Sequence, residues 1–312
     1  MDDSVLPPKL LSALSKAADL VRGHQYIQLF SHYDTDGITA AAIAAKALYR
    51  AGKEFRVTIM QTLDDANMAV IAGTKAECIL ITDLGASFIK QLDSLPCDVI
   101  VLDHHTLGDL PERLCYANPH LYGIDGMPSG CGATMAFLFA ITLDERNWDL
   151  APVAMAGVAG DRQHLHGVSG LNTFLLNGAV KRKHVVTMPG SLIPVGNLSS
   201  ELFMSADPYI RGVSGSPAGT EKFLAEADIP AGKDYRDLTD DERERLSSLI
   251  AVKLTTQGTS RAKMEEAARA RYYLPAWNTD AETLASQLNA CGRLGQDGRA
   301  AVAYRERDAL RR

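Results

Sequence analysis

The 312-residue chain is expected to be an α/β protein: a parallel β-sheet flanked by helices, then a helical region and a short, incomplete C-terminal segment. Two observations predict the sheet. Apolar strand-like runs alternate with helix-like runs from residue 26 to residue 102, the pattern of parallel strands joined by right-handed crossovers. Three of those strand-like runs finish on Asp or His, and an open parallel sheet places its ligands outside the carboxyl ends of its strands. A third observation separates the rest. Residues 195–275 read as successive helices without any Asp/His cluster.

An amphipathic helix over 7–23 opens on Pro7-Pro8 and closes at Gly23. Tyr26-Ile-Gln-Leu-Phe30 is rich in strand formers. Ile38 to Ala51 carries alanine at seven positions, with Gly52 as a stop; alanine favours helix and lets it approach a sheet closely. Phe55–Met60 is the second strand, 64–73 a helical connection, 77–82 the third strand, 86–95 a helix and 98–102 the fourth strand. Residues 118–126 read as irregular or short-strand structure. Pro128-Ser-Gly-Cys-Gly-Ala-Thr134 then opens a helix over 135–143, and a further helix over 150–160 leads to Asp161. Residues 172–194 mix apolar and basic residues; the cluster Lys181-Arg-Lys-His184 is either a phosphate contact or a solvated face. Helices are expected at 199–206, 219–227, 239–256 and 260–273, broken by Asp207-Pro208 and a Gly/Ser-rich stretch at 212–219. A last helix covers 279–290, before Gly295-Gln-Asp-Gly298. The expected domains are 1–190, catalytic; 191–275, a helical insertion; and 276–312, the start of a C-terminal domain.

Composition bounds the class. With 46% apolar and 22% charged residues the chain can bury a sizeable core. Its formal net charge of −6 excludes a binder that holds nucleic acid by overall basicity, so any such contact must be local. Residues 261–312 carry ten Lys or Arg against seven Asp or Glu, while the remainder carries 22 against 31. The five cysteines contain no Cys-x-x-Cys pair, which argues against a zinc ribbon or a redox pair and for a reducing compartment. Residues 1–25 contain no signal-peptide core, and no apolar run approaches the roughly 20 residues that span a bilayer, so a cytoplasmic protein with no membrane partner is expected. No Gly-x-Gly-x-x-Gly follows the first strand, so a dinucleotide site is not indicated.

The chemistry concentrates in Ser31-His-Tyr-Asp-Thr-Asp-Gly37. His32, Asp34 and Asp36 alternate, and in an extended segment alternate side chains share a face. Carboxylates held that close repel unless a cation or a proton lies between them, and hard divalent metals accept carboxylate oxygen together with imidazole. The plainer alternative is a polar turn with an Asp helix cap. Two further strand ends add Asp83 and the run Asp103-His104-His105. Asp161, closing the apolar run 151–159, is a fourth candidate, with a helix cap as its alternative.

His-x-Asp-x-Asp-Gly, an Asp at a strand end, Asp-His-His and Gly-Asp-Arg together resemble the four motifs of the DHH phosphoesterase superfamily. Within it the chain most resembles the archaeal RecJ-like proteins, which include the GINS-associated nuclease. The resemblance extends through Ser205-Ala-Asp-Pro208, Leu238-Thr-Asp-Asp-Glu-Arg243 and Leu288-Asn-Ala-Cys-Gly-Arg293. It implies a metal-dependent phosphodiesterase with two Mn²⁺ ions, Mg²⁺ being a substitute. His32 and Asp34 would hold the first ion, Asp36, His104 and Asp161 the second, and Asp83 would bridge them. His105 would lie beside the substrate phosphate, with Asp103 orienting a histidine; these two are the catalytic candidates. The turn bearing Ser129, Gly130, Gly132 and Thr134 would meet the substrate phosphate through free helix-start amides, and Arg293 would grip a phosphate or remain a surface residue. The implied activity is a single-strand exonuclease acting on DNA or RNA, with a replisome protein of the GINS type as a partner. An inactive DHH-like scaffold of the replicative helicase, and a phosphodiesterase for short oligonucleotides or cyclic dinucleotides, are the alternatives. Complete relatives carry a Gly-Gly-Gly-His-type gripping motif, which is absent here, so either a shortened relative or a fragment is expected, with distributive action on long strands.

Overall fold

The computed structural model describes residues 6–295. The chain divides into two compact units. The first comprises residues up to His164, Val168–Val185 and the segment from Ala281; the second comprises Leu165–Gly167 and Val186–Asp280.

In the first unit, helix α1 (Pro8–Gly23) precedes strand β1 (Tyr26–His32), helix α2 (Thr35–Arg50), strand β2 (Glu54–Met60) and helix α3 (Asp65–Ala72). Strand β3 (Cys78–Thr82), the short helix α4 (Ile89–Asp93), strand β4 (Asp98–Leu102) and strand β5 (Cys115–Ala117) follow. All five strands are parallel, in the order β2-β1-β3-β4-β5. β3 is buried along its whole length, as a strand with helices on both faces must be. Phe30, Ile81, Val99 and Val101 meet Ile71, Ile89 and Leu92 of the helices on one face. α1 and α2 line the other face, together with α6 (Gly132–Leu143), which follows the single turn α5 (Gly126–Ser129). Helix α7 (Ala151–Gly160) packs against α2 and α6, and α8 (Leu171–Lys181) against α7. α2, α6 and α7 are apolar nearly all round and almost wholly buried, as that pattern requires. The sheet expected from the sequence is therefore present, with a fifth strand, β5, just before the segment expected to be irregular.

The second unit begins with strand β6 (Val186–Met188), then helices α9 (Leu198–Met204), α10 (Pro217–Glu226), α11 (Asp240–Thr256) and α12 (Arg261–Ala267), and strands β7 (Arg271–Leu274) and β8 (Thr279–Asp280). Leu246, Ile250 and Leu254 of α11, spaced at helical intervals, enter a core with Phe223, Leu224 and Tyr235. A capping box of Thr239 and Glu242 starts α11. The helix expected over 260–273 ends at Ala267. Arg271-Tyr-Tyr-Leu274 instead forms the middle strand of a small antiparallel sheet, β6-β7-β8. Two tyrosines and a leucine suit a pleated surface, and pairing with β6 and β8 overrides the helical run before them.

Helix α13 (Ala281–Arg293) belongs to the first unit and packs on α2 and α7. The turn expected at 295–298 lies largely outside the described residues.

Candidate metal centre

β1 ends at His32, and Asp34 is the N-cap of α2, its Oδ1 accepting from the Gly37 amide at 3.0 Å. Thr35 is already helical, so His32, Asp34 and Asp36 do not alternate along an extended segment. The expected convergence arises differently. A strand end, a helix cap and the first helical turn place the three side chains, and the Asp cap foreseen as the plainer alternative is part of the arrangement. Asp83 follows β3 in the left-handed region, φ 56°, which Asp tolerates better than most residues. His104 follows β4, and Asp161 is the C-cap of α7.

The two histidines face carboxylates. His32 Nε2 lies 3.1 Å from the Gln61 carbonyl oxygen. A carbonyl only accepts, so that nitrogen carries the proton and donates. In the neutral ring Nδ1 then presents a lone pair, 3.1 Å from Asp34 Oδ2 and 3.6 Å from Asp83 Oδ2. His104 repeats the device with its nitrogens exchanged. Nδ1 donates to the Gly126 carbonyl at 3.3 Å, and Nε2 faces Asp83 Oδ1 at 3.3 Å and Asp36 Oδ2 at 3.6 Å. These contacts are close in space but lack hydrogen-bond geometry: His32 Nδ1 and both Asp83 carboxylate oxygens are buried without a hydrogen-bond partner. An unpartnered carboxylate that is 1% exposed is costly, and a bound cation removes the cost.

Three sets of ligand atoms are each close enough to share one ion: His32, Asp34 and Asp83; Asp36, His104 and Asp161; and Asp83, His104 and His105. Asp83 is common to the first and third, and His104 to the second and third. Oxygen-rich sets with one or two imidazoles fit a hard or borderline divalent ion. The electrostatics agree. Burial alone would depress His32, but Asp34 and Asp83 overcome it and raise it to about 10. His104 is raised to about 11 against the same burial by Asp83 and Asp36. Burial and the neighbouring Asp83 and Asp161 push Asp36 well up. Burial raises Asp161 too, against the pull of His104. Asp83 is buried, yet His104 and His32 hold it below the ordinary carboxylate range. The pocket draws positive charge: in the apoprotein protons on two histidines supply it, and a metal would replace them.

Asp103 is fully buried. Its Oδ2 accepts the Ala86 amide at 2.8 Å, and its Oδ1 accepts the His104 amide at 2.7 Å and His105 Nδ1 at 2.7 Å. The histidine it orients is thus His105, whose pKa this contact raises. The His105 side chain is half exposed.

The expected substrate-binding turn departs from expectation at two residues. The amides of Gly132 and Ala133 are not free. They donate to Asp36 Oδ2 at 2.6 Å and Oδ1 at 2.8 Å, so the α6 N-terminus binds the protein's own carboxylate. Thr134 is fully buried and donates to Asn172 Oδ1 at 2.6 Å. A Cβ on Gly132 would sit 2.6 Å from Asp83 Oδ1, which explains the glycine by close approach. Ser129 pairs with Ser169 through their hydroxyls at 2.9 Å, and Gly130 lies against Leu171. Arg293 is exposed at the end of α13, one residue after Gly292, whose missing Cβ leaves room for the Tyr33 carbonyl. Sequence reasoning missed Gln163, Asn172 and the Gly126 carbonyl, all of which support the candidate ligands.

Residues 26–158 match the DHH family, N-terminal domain. This is a DHH-family domain. An uncharacterised protein of Methanocaldococcus jannaschii is 27% identical over 285 residues, covering 88% of this chain and 63% of that protein. The single-stranded-DNA-specific exonuclease RecJ of Thermus thermophilus is 28% identical over 166 residues, covering 50% of this chain and 25% of that protein. The chain thus spans less than two thirds of either relative. The crystal structure of CDC45 from Entamoeba histolytica overlays 94% of this chain and 68% of its own, with a TM-score of 0.62 at 14% identity, a likeness of fold. The DHH domain contains every candidate metal ligand except Asp161, which lies three residues beyond its matched end.

Proposed function

We propose that this chain is a metal-dependent phosphodiesterase, a RecJ-like exonuclease acting on single-stranded DNA or RNA. One observation carries the metal dependence: His32 and His104 each direct a ring nitrogen at Asp83, a buried carboxylate with no hydrogen-bond partner. We assign His32 and Asp34 to a first Mn²⁺ or Mg²⁺ ion, Asp36, His104 and Asp161 to a second, and Asp83 to both. When bound, the ions supply a Lewis acid for the phosphoryl oxygens and lower the pKa of water that attacks phosphorus. Asp103 fixes His105 by Nδ1 and favours its imidazolium, so His105 Nε2 can donate to a phosphate or leaving-group oxygen. Ser129, Gly130 and exposed Arg293 remain candidate phosphate contacts.

The substrate class rests on similarity to RecJ. The second unit contains none of the assigned ligands; we give it substrate or protein-partner binding, a GINS-like replisome protein being the partner to try first. No helix among the described residues is long and apolar enough to cross a membrane, and action in the cytoplasm is part of the same proposal. The test is product analysis on single-stranded DNA and RNA, labelled at either end, with Mn²⁺ or with EDTA. Mononucleotide release from one end that EDTA stops and Mn²⁺ restores is the expected result. Absence of any hydrolysis with either metal and either polymer refutes the proposal.

A further inference from the structure

Gln163 lies two residues beyond Asp161 and is 6% exposed. Its single amide nitrogen contacts two acceptors, Asp161 Oδ2 at 2.7 Å and the Gly126 carbonyl at 2.9 Å. The Gly126 carbonyl is also the acceptor that orients His104 through Nδ1. One side chain therefore touches a candidate ligand directly and holds the group that aims another.

The direction of the amide is fixed by chemistry. A carboxylate and a carbonyl are both acceptors, so the nitrogen must face them. Gln163 Oε1 then faces Asn172, whose Nδ2 donates to it at 2.7 Å. Asn172 Oδ1 is left to accept, and it takes the Thr134 hydroxyl at 2.6 Å. Asn172 and Thr134 are fully buried, and each of these contacts is of hydrogen-bond length. The chain of donors runs one way, from the first turn of α6 to Asp161. The same turn holds Asp36 through the Gly132 and Ala133 amides. Each member of the set Asp36, His104 and Asp161 is thereby tied to one buried polar network.

We propose that Gln163 is a positioning residue for the cation held by Asp36, His104 and Asp161, locked in the donating orientation by Asn172. The proposal rests on the metal-dependent reading given above and adds the residues that make one of its two sites tight. Partners of this kind typically account for roughly 10- to 100-fold in metal affinity. Gln163→Leu keeps the bulk and removes both donors. Asn172→Asp keeps the shape but places an oxygen opposite Gln163 Oε1; the Gln163 amide turns over and directs its oxygen at Asp161 and Gly126.

The test is Mn²⁺ titration of the metal-free 312-residue chain by calorimetry, with electron paramagnetic resonance of the loaded protein and thermal melting in EDTA. Wild type should take up two ions and give the spectrum of a coupled pair. Both variants should lose at least tenfold affinity for one ion, keep the other, and show an uncoupled Mn²⁺ signal. A global packing defect would weaken both ions and lower the metal-free melting point together, which overturns the proposal. Two ions bound at wild-type affinity in either variant that folds overturn it as well. A wild-type chain that binds no Mn²⁺ removes the metal-dependent reading itself and this inference with it.

Discussion

His104 Nε2 stands 3.3 Å from Asp83 Oδ1 without hydrogen-bond geometry, while the other ring nitrogen faces the Gly126 carbonyl. A buried carboxylate and an imidazole nitrogen placed this way need a positive charge between them: a ring proton in the metal-free chain, or a metal that replaces it. Asp83→Asn removes the charge and keeps a residue that tolerates the left-handed backbone, φ 56°. Nuclease turnover should fall more than tenfold, with Mn²⁺ uptake lost from both sites. Asp83→Ala should lose the same activity and also melt lower, because left-handed backbone costs an ordinary residue about 1 kcal/mol or more. Retention of a tenth or more of wild-type turnover in Asp83→Asn would show that Asp83 does not serve both ions.

Metal binding should become tighter as pH rises. His32 and His104 are raised to about 10 and 11, so both carry two ring protons in the metal-free chain at neutral pH. A metal must displace one from each, which gives up to two protons released per protein. The sign for stability follows. A raised folded-state pKa adds stability that is complete below the unfolded histidine value and fades as pH rises towards 10 and 11. The metal-free chain should therefore lose stability on the alkaline side, and the increase in melting temperature on adding Mg²⁺ should be larger at pH 8.5 than at pH 6. Equal increases at both would mean that the histidines are not displaced.

Asp103 and His105 should separate in their effects. His105→Gln removes the group proposed to donate to the leaving oxygen, and should lower turnover by roughly 10²–10⁴-fold with little change in melting temperature, since the side chain is half exposed. Asp103→Asn places an amide NH₂ where four N–H groups converge on two carboxylate oxygens. It should cost about 1–3 kcal/mol of stability, the penalty of a buried donor without an acceptor. Denaturation midpoints and turnover measured on the same preparations check both halves. An Asp103→Asn protein as stable as wild type would contradict the role given to Asp103 in pinning the His104–His105 backbone.

Much of this architecture is legible in the sequence because burial leaves a mark. β3 and β4 read as unbroken apolar runs since helices cover both their faces, and their Asp and His ends stand out against that background. β7 was not legible. Arg271-Tyr-Tyr-Leu274 follows a helical run directly, and its strand character depends on partners, β6 and β8, at other points in the chain. The turn before α6 was half legible. Small residues at a helix start do leave amides available, but only the fold reveals that Asp36, nearly a hundred residues earlier, takes them. Gln163 gives no signal at all in one dimension, because its importance comes from one nitrogen that reaches two acceptors at once. Long-range polar pairing has no periodicity to betray it.

The turn before α6 also supplies a test of what it is for. Were it a cradle for substrate phosphate, a side chain at Gly132 would obstruct substrate and raise KM. The geometry points elsewhere: a Cβ there would lie 2.5 Å from Asp83 Cβ and 2.6 Å from Asp83 Oδ1. Neither atom can retreat easily, since Asp83 is 1% exposed and Gly132 is tied to Asp36 by its amide. Gly132→Ala should push Asp83 away from His104 and loosen the amide contact to Asp36. Overpacking of this kind costs about 1–3 kcal/mol. The expected result is a rise of tenfold or more in the Mn²⁺ concentration for half-maximal activity, a lower melting point, and an unchanged KM for a labelled oligonucleotide once Mn²⁺ is saturating. The decisive measurement is the pair of titrations, metal at fixed substrate and substrate at saturating metal. If KM rises while the metal response stays at the wild-type value, the turn faces the substrate and its contact with Asp36 is incidental to function.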